Sequence, residues 1–203
     1  MKIVELFLYS PEYLTVDETH DSDLMRQALS GDETAFTKLY RRHQAPVYRY
    51  ALHMSGRADV AEEVVQDVFL VLLRDPRQYD AGRGPLLAYL LGIARKRVWR
   101  LLEKMRVFGN ELEDLADPRD FSLEPVRNQL IGHLRRAILA LPANYREAVI
   151  LCELEEMSYE EAARALDCPV GTIRSRLHRG RALLLAKLEM LRDVPKRANA
   201  SRG

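Results

Sequence analysis

Residues 158–184 read SYEEAARALDCPVGTIRSRLHRGRALL, a stretch that spells two short helices joined by a tight turn. Ser158 is a good N-cap, and Glu161 stands three residues later, where it closes a capping box. Ala162, Ala163 and Leu166 supply an inward face, the alanines short enough for a second helix to come close. Asp167, Cys168 and Pro169 break the first helix; Pro169 donates no amide, yet it suits the first position of a new helix. In that second helix Val170, Ile173, Leu177 and Leu184 recur at helical spacing and should face the core. Turned by about 100° per residue, Thr172, Ser175, His178 and Arg179 fall on the opposite face, and Arg174 and Arg176 on its flanks. Such a face suits a helix in the DNA major groove, with facing residues reaching base edges and flanking guanidiniums reaching phosphates. A solvated basic helix would account for the arginines alone. The Ala-rich first helix, the Asp-Cys-Pro break and the Thr-Ile-Arg-Ser-Arg run together favour a DNA-binding helix-turn-helix.

Around this stretch lies a chain of 203 residues, enough for one large domain or two small ones. Hydrophobic residues make up 47%, so packed cores are feasible. Charged residues make up 30%, yet the net charge is only +1, and the overall balance names no partner. The signs are segregated instead: acids dominate Glu111–Asp120 and arginines dominate Arg174–Arg181, which points to separate surfaces for separate partners. Two cysteines, Cys152 and Cys168, form no CxxC pattern and fit a reducing compartment. The opening MKIVELFLYS is interrupted by Glu5 and leads into no long apolar run, so neither a signal peptide nor a membrane span is expected and the location is read as cytoplasmic. No segment is rich in strand signals, and the expected fold is all-α.

Residues 1–20 are set apart as an N-terminal arm without assignment. A first helix runs from near Ser22 to Gly31, with Leu24, Met25, Ala28 and Leu29 apolar. Asp32 caps the next, where Ala35, Phe36, Leu39 and Tyr40 form a stripe. Pro46 is read as a break or as the first turn of a third helix carrying Val47, Tyr48, Ala51 and Leu52. The aromatic residues Phe36, Tyr40, Tyr48 and Tyr50 read as core rather than as a ligand site, because their spacing is helical.

A fourth helix, DVAEEVVQDVFLVLL over 59–73, has Val60, Val64, Val68, Phe69 and Leu72 on one face. Asp59, Glu62, Glu63, Gln66 and Asp67 lie on the other; by physics alone this is a solvated face before it is a docking face for a basic partner. Asp75-Pro76 ends the helix, and YDAGRGP over 79–85 is a turn-rich loop. The helix LLAYLLGIARKRVWRLLEKMR follows, apolar through Ile93 and then basic, with Tyr89 and Trp99 interleaved among Arg95, Lys96, Arg97, Arg100, Lys104 and Arg106. Cations beside aromatic rings suit single-stranded nucleic acid, where bases stack and phosphates pair. A half-buried Trp99 amid snorkelling arginines explains the pattern equally well.

Residues 107–125 read as an acidic linker around NELEDLADPRD and Pro118, which places a domain boundary there. The second domain, 126–192, begins with Leu130, Leu134, Ile138 and Leu141 on a helix ended by Pro142. Tyr145–Leu154 forms the next helix, around Val149, Ile150 and Leu151, before the helix-turn-helix closes the domain. Residues 193–203 read as a disordered basic tail.

Taken in order, GDETAFTKLYRRH, AEEVVQDVFLVLLRD, YDAGRGPLLAYLLGIARKRV and LPANYREAVILCELEEMSYEEAARALDCPVGTIRSRLHRGRALL, with the acidic linker between, resemble the bacterial RNA polymerase sigma factors of the extracytoplasmic-function type over roughly residues 22–191. The resemblance implies two helical domains on a flexible linker. The first, 21–106, would dock on the clamp coiled coil of core polymerase and melt the promoter's minus-ten element; the second would read the minus-thirty-five element. The linker would resemble a connector that occupies a nucleic-acid path within the polymerase.

Carried over by position, Asp59, Glu62, Glu63, Gln66 and Asp67 would dock on polymerase. Arg83, Tyr89, Arg95, Lys96, Arg97 and Trp99 would lie on or near the minus-ten surface, and Thr172, Arg174, Ser175, Arg176, His178 and Arg179 on the minus-thirty-five helix. Lys96 stands where the family often has Asn, Tyr89 where it often has Trp, and Trp99 where it often has Asp; these departures bear on which minus-ten bases are chosen. The implied partners are core RNA polymerase, promoter DNA and an anti-sigma factor.

No hydrolytic triad, phosphate loop or zinc spacing is present, so no enzyme and no cofactor is expected. His20, His43, His53, His133 and His178 are scattered, and His178 with Cys168 lacks metal-ligand spacing. The rival reading is a free-standing regulator that uses only the helix-turn-helix and has no need of the Asp59–Asp67 face.

Overall fold

The structure, a computed structural model, describes residues 20–107 and 125–198. The N-terminal arm up to residue 19, the linker over 108–124 and the last tail residues, 199–203, lie outside the described residues. Helix α1 (Asp21–Leu29) is pinned to α2 (Glu33–Ser55) at its first residue. Asp21 accepts from Arg42 Nη1 at 2.6 Å and pairs with His43 Nε2 at 2.8 Å. Burial pushes its carboxyl up, but the bonds and charges of His43 and Arg42 outweigh burial and hold it below the usual range. Asp32 caps α2 as its sequence position suggests, accepting from the amides of Thr34 at 2.9 Å and Ala35 at 3.2 Å.

Pro46 neither breaks α2 nor starts a new helix: it stands inside one continuous element. An interior proline costs about 3 kcal/mol. The buried stripe of Leu39, His43, Val47, Tyr50, Ala51 and Met54 runs through it on both sides, and α2 packs along that stripe against α3 and α4. Burial of several such side chains, at about 1.5–3 kcal/mol each, outweighs the proline. Helix α3 (Ala58–Arg74) buries Val60, Val64, Val68, Phe69 and Leu72. Two 3₁₀ turns, Pro76–Gln78 and Ala81–Arg83, lead into α4 (Leu86–Val107) and complete the first unit.

The second unit comprises α5 (Pro125–Leu139), α6 (Ala143–Val149), α7 (Tyr159–Ala165) and α8 (Val170–Ala198). The helix expected over Tyr145–Leu154 is not uniform: α6 gives way to a π-helical turn at Ile150–Leu154, closed by a bond from the Glu155 amide to the Ile150 carbonyl at 3.0 Å. Glu147, Ala148, Val149, Ile150 and Leu151 are buried without interruption, more than one α-helical face can cover.

Ser158 and Glu161 form both halves of the capping box, at 3.2 Å and 2.8 Å. Asp167 turns with φ 49, and α8 follows with Ile173, Leu177 and Leu184 buried. Gly180 lets α8 pass close over α6, since a Cβ there would meet Val149 Cγ2 at 2.8 Å. Helix α8 runs to Ala198, beyond residue 193, where the sequence reading places the start of a disordered tail.

Among the described residues there is no strand. The two units are packed on one another, α2 against α5 and α4 against α7, and one hydrophobic core runs through both. Arg146 ties their helix ends. Its Nη1 donates to the Met54 carbonyl near the end of α2 at 2.6 Å, and its Nη2 donates to the carbonyls of Leu139 and, at 3.0 Å, Leu141.

Candidate nucleic-acid interface

Burying Ile173, Leu177 and Leu184 turns the other side of α8 outward. Arg174, Ser175, His178 and Arg179 are exposed there, and Thr172 and Arg176 half-buried beside them. Ser175 Oγ donates to the Thr172 carbonyl at 2.9 Å. The Arg174 guanidinium lies 5.9 Å from the centre of the Tyr159 ring, a cation–π contact that steadies its stem. All six predicted minus-thirty-five residues thus lie on the side of α8 turned away from its buried stripe.

The predicted minus-ten residues are less open. Arg83 is exposed in its 3₁₀ turn and Lys96 is exposed on α4. Tyr89 is half-buried, its ring 5.6 Å from that of Tyr79, and burial raises the phenols of both. Arg97 pairs with Asp67 of α3 at 3.3 Å, so one predicted docking residue and one predicted DNA residue hold each other.

Arg95 is half-buried and Trp99 is 40% exposed, yet both reach a side chain of the second unit. Arg95 Nε and Trp99 Nε1 each donate to the same oxygen, Glu147 Oε1, at 2.8 Å. Glu147 is 1% exposed. Burial pulls the Arg95 guanidinium down, but the bond and charge of Glu147 outweigh it and leave the guanidinium raised. At the preceding loop, Gly84 adopts φ +146, and the Arg164 side chain of α7 occupies the space where a Cβ would stand.

On α3, Glu62, Glu63 and Gln66 are exposed. Asp59 is exposed too and receives two bonds from Arg57, at 3.0 Å and 2.6 Å; those bonds, more than anything else, lower its carboxyl. Two residues missing from the sequence prediction extend this face: Leu70 and Leu73 are 45% and 54% exposed. The signal was present, since both fall off the Val60–Val64–Val68–Leu72 stripe. Glu147 was missed for another reason: nothing local marks a carboxylate whose partners lie 48 and 52 residues away.

The fold and these faces define an all-helical DNA-binding protein of two units. Residues 39–107 match the family model for sigma-70 region 2, and residues 132–184 match that for sigma-70 region 4, together more than half of the chain. The extracytoplasmic-function (ECF) RNA polymerase sigma factor SigE of Mycolicibacterium smegmatis is 32% identical over 168 residues, 76% of this chain and 63% of that protein. The ECF RNA polymerase sigma-E factor of Escherichia coli is 28% identical over 193 residues, 86% of this chain and 97% of that one. Among solved structures, the sigma factor RpoE of Bartonella quintana, in complex with the anti-sigma factor NepR, aligns with a TM-score of 0.64 at 27% identity, covering 76% of this chain and 96% of that one. CnrH, in complex with the cytosolic domain of CnrY, aligns with a TM-score of 0.66 at 25% identity, covering 84% and 97%. The chain belongs to the sigma-70 family, in its extracytoplasmic-function group. No helix among the described residues is long and apolar enough to cross a membrane.

Proposed function

We propose that this chain is a promoter-specificity subunit: it binds core RNA polymerase in the cytoplasm and directs initiation at promoters carrying a minus-ten and a minus-thirty-five element, with no catalytic chemistry of its own. One observation carries the reading. A region 2 match that includes an outward acidic helix face and a region 4 match that includes an outward helix-turn-helix face occur in one chain.

In this reading Asp59, Glu62, Glu63, Gln66 and Asp67, extended by Leu70 and Leu73, meet the polymerase. Arg174 and Arg176 hold minus-thirty-five phosphates while Thr172, Ser175, His178 and Arg179 meet base edges. Arg83, Tyr89, Arg95, Lys96, Arg97 and Trp99 receive the melted minus-ten strand, unstacking being offset by aromatic and backbone contacts. A free-standing regulator has no use for the α3 face. One structural neighbour, RpoE of Bartonella quintana, is in complex with an anti-sigma factor, which supports an anti-sigma partner here as well.

Run-off transcription with bacterial core polymerase and a promoter library tests the proposal. New transcripts that share two upstream elements are expected. Absence of both transcripts and association with core polymerase on a sizing column would overturn it.

A further inference from the structure

We infer that Tyr159 is a positioning residue for minus-thirty-five recognition: its ring face holds the Arg174 guanidinium at the flank of α8 and presents the edge of that guanidinium to a DNA phosphate. The inference rests on the reading of α8 as the minus-thirty-five helix. Tyr159 is not among the six residues assigned to that helix; it opens α7, the first helix of the pair.

Two guanidiniums neighbour Tyr159, and they are held in different ways. Arg174 and Arg181 are seven residues apart, two turns of α8, so they share one flank about 10 Å from each other. Arg181 Nε and Nη2 both donate to Glu153 Oε1, the first at 2.9 Å. The bond to Glu153 raises the Arg181 guanidinium against the pull of burial, and the nearby Tyr159 adds to the rise. The charge of Arg181 is therefore matched by a carboxylate. Arg174 lies instead over the Tyr159 ring, 5.9 Å from its centre. A ring holds a guanidinium by its face, leaving the charge unmatched and the N–H donors at the edge free. Of the two cations on this flank, Arg174 is the one ready to take a phosphate.

The ring itself is fixed from behind. Tyr159 directly follows Ser158, and the capping box sets the backbone there: the Ser158 amide donates to Glu161 Oε2 at 2.8 Å, and the Glu161 amide donates to Ser158 Oγ at 3.2 Å. The ring is half-buried against the hydrophobic core, while Arg174 is exposed. A flexible arginine stem is thus held before DNA arrives, which removes part of the ordering that binding would otherwise have to supply. In a helix-turn-helix the first helix crosses the sugar–phosphate backbone, so a cation leaning on α7 is aimed at phosphate rather than at the groove floor. Such a contact sets register and affinity and leaves base choice to Thr172, Ser175, His178 and Arg179.

Because a phosphate carries no sequence, a labelled duplex of about 20 base pairs of mixed sequence is a sufficient probe. Its affinity for the full-length chain is read by fluorescence anisotropy between about 50 and 200 mM salt. Wild type is compared with Tyr159→Phe, Tyr159→Leu, Arg174→Ala and the double variant Tyr159→Leu with Arg174→Ala. Arg174→Ala should lower the slope of log affinity against log salt by about 0.9, which is roughly eightfold weaker binding at 0.1 M salt. Tyr159→Leu should weaken binding about threefold, the worth of a cation–π contact at an exposed site, and Tyr159→Phe should bind like wild type, since the ring face remains. Once Arg174 is alanine, Tyr159→Leu should cost nothing more.

Three results would overturn the inference: Tyr159→Phe as weak as Tyr159→Leu, which would make the hydroxyl the active group; an equal loss from Tyr159→Leu with and without Arg174; or wild type that leaves the duplex unbound at the lowest salt. Should Tyr159→Leu lose helical circular dichroism, Arg174→Lys decides without touching α7. It keeps the charge and the slope but gives up the stacked plane, so it should bind about threefold more weakly, and affinity equal to wild type would overturn the inference. Run-off transcription and core-polymerase association are scored separately. Their absence would sink the sigma-factor reading and leave the coupling of Tyr159 to Arg174 standing, because the duplex carries no promoter. Transcripts together with uncoupled residues would sink the inference alone.

Discussion

Between pH 7 and pH 5, acidification should destabilise this protein chiefly through His53. His53 is 5% exposed near the end of α2. Burial, aided by the charges of Arg135 and Arg49, holds its imidazole down at about 3, against an ordinary 6.5. The native chain therefore keeps His53 neutral where the unfolded chain takes up a proton. The stability this preserves is fully present above pH 6.5 and is lost as the pH falls toward 3, at about 1.4 kcal/mol per unit. Going from pH 7 to pH 5 should remove about 2 kcal/mol, and the whole effect amounts to about 5 kcal/mol.

Glu155 works in the opposite sense, since burial raises its carboxyl despite the bond and charge of Arg49. A comparison with His53→Gln cancels that contribution. The assay is urea unfolding followed by helical circular dichroism at pH 7, 6 and 5. The stability of wild type relative to His53→Gln should fall by about 2 kcal/mol across the series. A gap that stays constant with pH would refute the assignment of a neutral, buried His53.

Three further substitutions probe the helix-turn-helix. Arg179→Ala should cost about 1–3 kcal/mol of discrimination at one minus-thirty-five base pair, read from holoenzyme binding to a panel of promoter variants; equal selectivity would remove Arg179 from base readout. Gly180→Ala should lower the thermal midpoint, because overpacking costs about 1–3 kcal/mol and exceeds the roughly 1 kcal/mol gained in helix propensity. A raised midpoint would mean that α6 and α8 yield easily at that crossing. Ser158→Ala should cost about 1 kcal/mol in chemical denaturation by removing half of the capping box; no loss would show the cap to be redundant.

What could be read in advance was local. The Ser158–Glu161 box, the Pro169 break and the Ile173–Leu177–Leu184 stripe are short-range signals, and α7 and α8 follow from them. The Asp32 cap and the buried face of α3 are of the same kind. Pro46 misled because a local rule met a longer buried stripe, and tertiary packing outweighed it. The π turn at Ile150–Leu154 has no pattern of its own; it arises where too many consecutive residues are buried for a regular face. The pairs Arg49–Glu155 and Arg95–Glu147 span 106 and 52 residues, and no periodicity carries information over that range. The same long-range packing decides that Arg95 and Trp99 face a carboxylate while Arg174 and Arg179 face solvent.

Arg146 adds a thermodynamic consequence. One guanidinium serves carbonyls at the end of α2 and at the corner between α5 and α6, so neither corner can fray without stripping the other of a donor. Heating should therefore melt the two units in a single calorimetric peak rather than two, with calorimetric and van't Hoff enthalpies in agreement. The folding unit of this chain is then larger than either of the family regions into which its sequence divides.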